Sequence, residues 1–132
     1  MPNTTQTLNL LPGRFAVCRL PPATDAAALW PGLRGEVLAL VRTPDELAVV
    51  CAEDAAPSDA LVEHGWRCLG LRGPIPFATV GVLAGLAQPL AEAGVGIFVL
   101  STFDTDYLLV KEGDLARACR TLLHAGHTVV QP

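Results

Sequence analysis

The feature that most constrains this chain is a hydrophobic period that switches, in a fixed order, through its second half. Positions 66–72 (WRCLGLR) read as a strand closed by Gly73-Pro74. Between Ala78 and Ala93 the apolar residues Val80, Leu83, Leu86 and Leu90 recur at helical spacing, and Gly94 is placed to end the helix. Pro89 falls inside this helix, and its missing N–H predicts a kink or break there. Positions 96–101 (GIFVLS) and 107–111 (YLLVK) read as strands joined by the turn TFDTD. Asp114 opens a second helix, with Leu115, Ala118, Cys119, Leu122 and Leu123 on one face. Gly126 ends it, and 127–130 reads as a last strand. The order is β-α-β-β-α-β, which predicts an α+β unit with its helices on one side of an antiparallel sheet.

The first half reads as a shorter version of this pattern. Positions 15–20 form a strand that Pro21-Pro22 ends, and Asp25 caps a short helix stopped by Pro31-Gly32. Strands at 36–42 and 47–51 flank the turn Thr43-Pro44-Asp45-Glu46. A connector rich in Ala, Pro, Ser and Asp follows at 55–59, with no second helix. The two hairpins resemble each other: 45–50 aligns with 105–110, and Asp54 then falls opposite Asp114. The pattern predicts a degenerate duplication, with one unit at 8–57 and another at 60–132. A lone β-α-β-β unit leaves a sheet edge and an apolar face open, so the two units are expected to pack as one body.

Composition narrows the function. The chain has 132 residues, 51% of them hydrophobic and 17% charged, so it can build a core. A net charge of −4 with no basic patch excludes binding to nucleic acid by phosphate neutralisation. Cys18, Cys51, Cys68 and Cys119 form no CxxC pair and lie in apolar runs, so no metal site or cofactor is expected and a reducing compartment is. Positions 1–7 are polar and uncharged, unlike a signal peptide. The apolar run at 77–100 is broken by four glycines, Pro89, Gln88 and Glu92, so it is not a membrane span, and a cytoplasmic protein is expected. No GxSxG, P-loop, GxGxxG or HExxH occurs, and of His64, His124 and His127 the last two flank a helix end, where the dipole favours a histidinium. No enzyme is expected.

The run from Gly73 to Lys111, with PLAEAGV followed by GIFVLSTFDTDYLLV and a charged turn into the last helix, resembles the ACT-domain family. The likeness is to the tandem bacterial type, related to the ACT units of the eukaryotic cytosolic arginine sensor and of aspartate kinase. It implies a ferredoxin-like (βαββαβ) fold, two tandem units, and an amino acid bound at the interface between units. It places the ligand at the first strand–helix junction, Gly73, Pro74, Ile75, Phe77, Thr79 and Val80, against Ser101, Thr102, Phe103, Asp104 and Asp106. Backbone N–H groups at the start of the helix, near 78–80, can hold a carboxylate. Asp104 or Asp106 can hold an ammonium group, and Phe103 can form an apolar or cation–π wall. Thr102 and Asp104 equally suit plain turn chemistry, and Thr79 suits a solvated first turn. The expected partners are a small-molecule ligand, a second copy in a homodimer, and a separate regulated protein. The competing expectation is a ligand-free assembly module, for which Gly81 and Gly85 offer a close-packing face.

Overall fold

The computed structural model describes residues 5–132, so the first four residues of the polar N-terminal stretch lie outside it. The chain divides into two compact units. One is Gly13–Trp66; the other joins the residues up to Pro12 to Arg67–Pro132. Among the described residues no helix is long and apolar enough to cross a membrane.

The N-terminal unit contains strands β2 (Phe15–Leu20), β3 (Ala39–Arg42) and β4 (Leu47–Ala52), and the start of β5 (Leu61–Leu71). They pair in the order β3-β4-β2-β5. Its one α-helix, α1 (Ala26–Leu29), has four residues and buries none of them. A 3-10 turn (Glu53–Ala55) and a connector stand where a second helix would be. The core is small, with Cys18, Leu20, Leu47, Val49 and Cys51 at its centre.

The C-terminal unit orders its strands β8-β1-β5-β7-β6. These are β1 (Thr7–Leu10), the end of β5, β6 (Phe98–Ser101), β7 (Asp106–Lys111) and β8 (Thr128–Val130). Strand β1, which the sequence pattern did not reveal, lies parallel to β8 and antiparallel to β5. It brings Leu8 and Leu10 into the core, where α2 (Val82–Glu92) and α3 (Leu115–His124) supply Val82, Leu86, Leu90, Ala118 and Leu122. Apart from β1, the order is that of the expected ferredoxin-like α+β unit. Strand β5 is longer than expected. It begins at Leu61, pairs with β2 through Trp66, and pairs with β1 from Leu69.

The expected break at Pro89 does not occur, and α2 runs through it. A proline at this position has no N–H for the carbonyl of Gly85. His127 replaces it: its Nε2 lies 3.1 Å from the Gly85 oxygen, and its Nδ1 accepts the backbone N–H of Gln6 at 3.0 Å. Because a backbone N–H can only donate, the ring proton sits on Nε2, pointed at the orphaned carbonyl. The ring is buried, so both of its nitrogens need the partners they have.

The two hairpins share register and turn. Arg42 faces Leu47 in β3–β4, and Ser101 faces Asp106 in β6–β7. Thr43 N–H donates to the Glu46 carbonyl at 2.9 Å, and Thr102 N–H donates to the Thr105 carbonyl at 2.8 Å. In both turns the threonine hydroxyl also accepts the N–H of the fourth residue at 3.2 Å. Each return strand ends in a 3-10 turn, Glu53–Ala55 or Glu112–Asp114. The register therefore matches Asp45 to Asp104 and Leu47 to Asp106, one residue away from the alignment drawn by sequence. In a strand that offset exchanges the two faces.

Candidate functional site

The start of α2 and the β6–β7 turn enclose a cleft of about 320 Å³ in the C-terminal unit. The helix begins at Gly81, whose φ of 86° lies in the left-handed region that a Cβ makes costly. That φ stops the helical pattern from extending back to Ala78. Residues 76–79 instead form a turn closed by Thr79 N–H on the Pro76 carbonyl, 3.0 Å. The first-turn amides are thus those of Val82, Leu83 and Ala84, four residues later than the sequence suggested. No side chain caps them, and all three residues line the cleft. Three such donors at the positive end of a helix have the chemistry to hold an anion.

Across the cleft, the turn is held by its own bonds. Thr102 fastens it internally, Thr105 Oγ1 donates to the Leu71 carbonyl at 2.9 Å, and the Asp104 carbonyl accepts Ile75 N–H at 2.6 Å. The last of these ties the segment after β5 to the hairpin. A side chain at Gly73 would stand 3.1 Å from the Asp104 carbonyl, so the close approach requires little at that position beyond backbone. Ser101 Oγ donates to Asp106 Oδ1 at 2.6 Å and orients the carboxylate. Asp106 is the one acidic or basic residue among those lining the cleft. Phe77 and Phe103 meet edge to face with centroids 5.0 Å apart, and are 75% and 81% exposed.

Of the residues named from sequence, Ile75, Phe77, Thr79, Ser101, Thr102, Phe103 and Asp106 line this one cleft. Gly73, Pro74, Val80 and Asp104 do not. Val80 is 86% exposed just before the helix, and Asp104 contributes its backbone carbonyl to the turn. The cleft also takes in Pro76, Gly81, Val82, Leu83, Ala84 and Thr105, which the sequence reading did not assign to it; Gly81 was read with Gly85 as a packing face.

A second, more open cavity of about 610 Å³ lies at the C-terminal ends of α2 and α3. It mixes Arg117, Arg120 and His124 with Glu92, and Arg117 is already held by Asp114 at 2.8 Å. The helix carbonyl ends there disfavour an anion, so its charges do not form a matched pair of subsites.

Residues 61–124 match the ACT domain family. The chain is an ACT-domain protein. The match runs from the start of β5 to the end of α3, so the whole cleft lies within the ACT domain. The cytosolic arginine sensor for mTORC1 subunit 1 of Bos taurus is 32% identical over 100 residues, covering 67% of this chain and 30% of that protein. The human counterpart is 34% identical over 71 residues, covering 50% of this chain and 22% of that protein. This chain thus spans less than a third of either relative. A crystal structure from Agobacterium tumefaciens is 36% identical, covers 100% of this chain and 96% of its own, and superposes with a TM-score of 0.89. The ligand-free regulatory subunit of aspartate kinase from Thermus thermophilus covers 86% of this chain and 93% of its own at 13% identity, with a TM-score of 0.64, and so shares the ACT fold.

Proposed function

We propose that this protein is a cytoplasmic regulatory module that binds a free amino acid in the cleft between α2 and the β6–β7 turn. One observation carries the reading: an uncapped helix start and an oriented carboxylate, Asp106, open on the same cleft. The amides of Val82–Ala84 take the ligand's carboxylate, and Asp106 takes its ammonium group. The Thr79 hydroxyl supplies a further polar contact. Phe77 and Phe103 offer apolar and cation–π surface to the side chain, which suits an aliphatic or basic amino acid. ACT-domain membership supports a small-molecule regulatory role, and one relative is named as a sensor of arginine.

In this reading the two compact units, Gly13–Trp66 and the remainder of the chain, are tandem ACT-type units, and the protein works as a homodimer in which the ligand lies against a facing unit. It performs no catalysis. Its effect passes to a separate protein through a ligand-dependent change in packing. A second reading, a ligand-free assembly module, draws on the exposed rim of Phe77, Val80 and Phe103.

A thermal-shift screen against the twenty amino acids separates the two. A ligand at about 100 times its Kd adds about 2.7 kcal/mol, several degrees for a domain of this size. Asp106→Ala should abolish that shift and leave the unliganded melting temperature nearly unchanged. A stable dimer with no shift from any amino acid would transfer the case to the assembly module.

A further inference from the structure

We propose that the two hairpin–helix junctions are copies of one site, and that the N-terminal copy is closed by its own side chains. Each chain then takes up one ligand, in the C-terminal unit alone. This inference rests on the function proposed above for its ligand, but its structural half stands without it.

The hairpins fix the correspondence, because both close with the same threonine turn and the same register. The helix starts then differ in one decisive way. In the N-terminal unit, Asp25 Oδ1 accepts the N–H groups of Ala27 and Ala28 at 3.0 and 3.4 Å. An internal carboxylate occupies the donors that an incoming carboxylate would need. In the C-terminal unit the matching position is Gly81, which has no side chain to offer.

The facing strands complete the contrast. Arg42 stands at the register position of Ser101, and its guanidinium donates to the Thr24 carbonyl at 2.6 Å, beside the capped helix start. Leu47 stands at the position of Asp106 and is buried in the core, so this copy has no carboxylate where the other presents one. Arg19 further holds the turn through the Asp45 carbonyl at 3.2 Å. The N-terminal copy thus carries its own acid and its own base, whereas the C-terminal copy leaves the amides free and presents Asp106.

NMR on the full chain tests both halves. Without ligand, the Ala27 and Ala28 amides should exchange with solvent about fivefold to tenfold more slowly than those of Leu83 and Ala84. Asp25→Ala should remove that protection, whereas Asp25→Asn, which keeps an acceptor oxygen, should retain most of it. Equal exchange at the two helix starts in the natural sequence would overturn the closure. The ligand probe is a mixture of the twenty amino acids at millimolar concentration. Shifts should appear at Val82–Ala84 and Asp106 and be absent at Thr24, Ala27 and Ala28. Ser101→Arg, which copies Arg42 into the open cleft, should erase them. Shifts at both helix starts would overturn single uptake while leaving the ligand function intact. No shifts anywhere would sink the ligand function and single uptake together, and the exchange contrast would still decide the closure.

Discussion

The N-terminal unit caps its helix, and the C-terminal unit leaves its helix uncapped. The reason lies in how each helix is held. Helix α1 has four residues, buries none, and is too short to persist on its own propensity, so the Asp25 cap is much of what defines it. Helix α2 has eleven residues and buries Val82, Leu86 and Leu90 against the sheet, at roughly 1.5–3 kcal/mol each. A cap contributes about 1 kcal/mol. A helix packed that firmly can leave its first-turn amides free, and free amides are what a ligand needs. The unit with the deeper core is therefore the one able to keep an open site.

Weakening the packing of each helix tests the link between burial and capping. Leu86→Ala removes a fully buried side chain and should cost about 2–5 kcal/mol in urea unfolding. Leu29→Ala, at a half-buried position of α1, should cost about 1 kcal/mol or less. If the two changes cost the same, packing does not distinguish the helices and the argument for the uncapped start fails.

The next largest effect concerns how α2 continues through Pro89. His127→Ala strands the Gly85 carbonyl and removes the acceptor of Gln6 N–H, at about 1–3 kcal/mol. Pro89→Ala supplies the N–H that the helix lacks at this point, so in the His127→Ala background it should restore part of the loss. A double-mutant cycle reads the coupling between the two sites. Strictly additive effects would show that His127 does not substitute for the missing helix bond.

That bond also marks where the sequence stops being informative. The alternation of elements through the second half was legible because each change of period is local. The continuity of α2 was not, because the donor that replaces the Pro89 N–H lies beyond the next helix, on His127. Strand β1 escaped notice because Leu8 and Leu10, set among Thr7 and Asn9, form too short an alternation to stand out. The early start of β5 is masked by Glu63, His64 and Gly65, polar or turn-like residues inside a strand. Most of the cleft was visible in the junction after Gly73 and in the hairpin turn, where residue types announce their chemistry. The start of α2 was read too early because Thr79 and Val80 continue a helical spacing that Gly81 interrupts only through its backbone angle. The offset between the hairpins has a similar cause: Asp45 aligns attractively with several acidic or polar neighbours, and only the pairing of Arg42 with Leu47 and Ser101 with Asp106 selects the register.

The smallest expected effect sharpens the contrast between the cores. In the N-terminal unit Cys18 and Cys51 are buried side by side, and burial, with Cys51 adding to it, pushes the Cys18 thiol up to about 12. The folded protein therefore keeps a proton on Cys18 where the unfolded chain, with an ordinary thiol near 9.0, has lost it. By linkage this contribution to stability is complete below pH 9 and declines as pH rises from there toward 12. At neutral pH it changes nothing, so the difference appears first as reactivity. A thiol reagent such as dithionitrobenzoate attacks the thiolate, so Cys18 and Cys51 should stay unlabelled in the native protein at pH 8. Cys119, part-exposed on α3, should react first, although burial raises its thiol as well. Mass spectrometry of the labelled peptides reads the order. Labelling of Cys18 at the rate of Cys119 would mean that the small N-terminal core opens readily under native conditions. A unit that opens so easily could not hold its helix start closed by Asp25, and the contrast between a sealed and an open copy would fall with it.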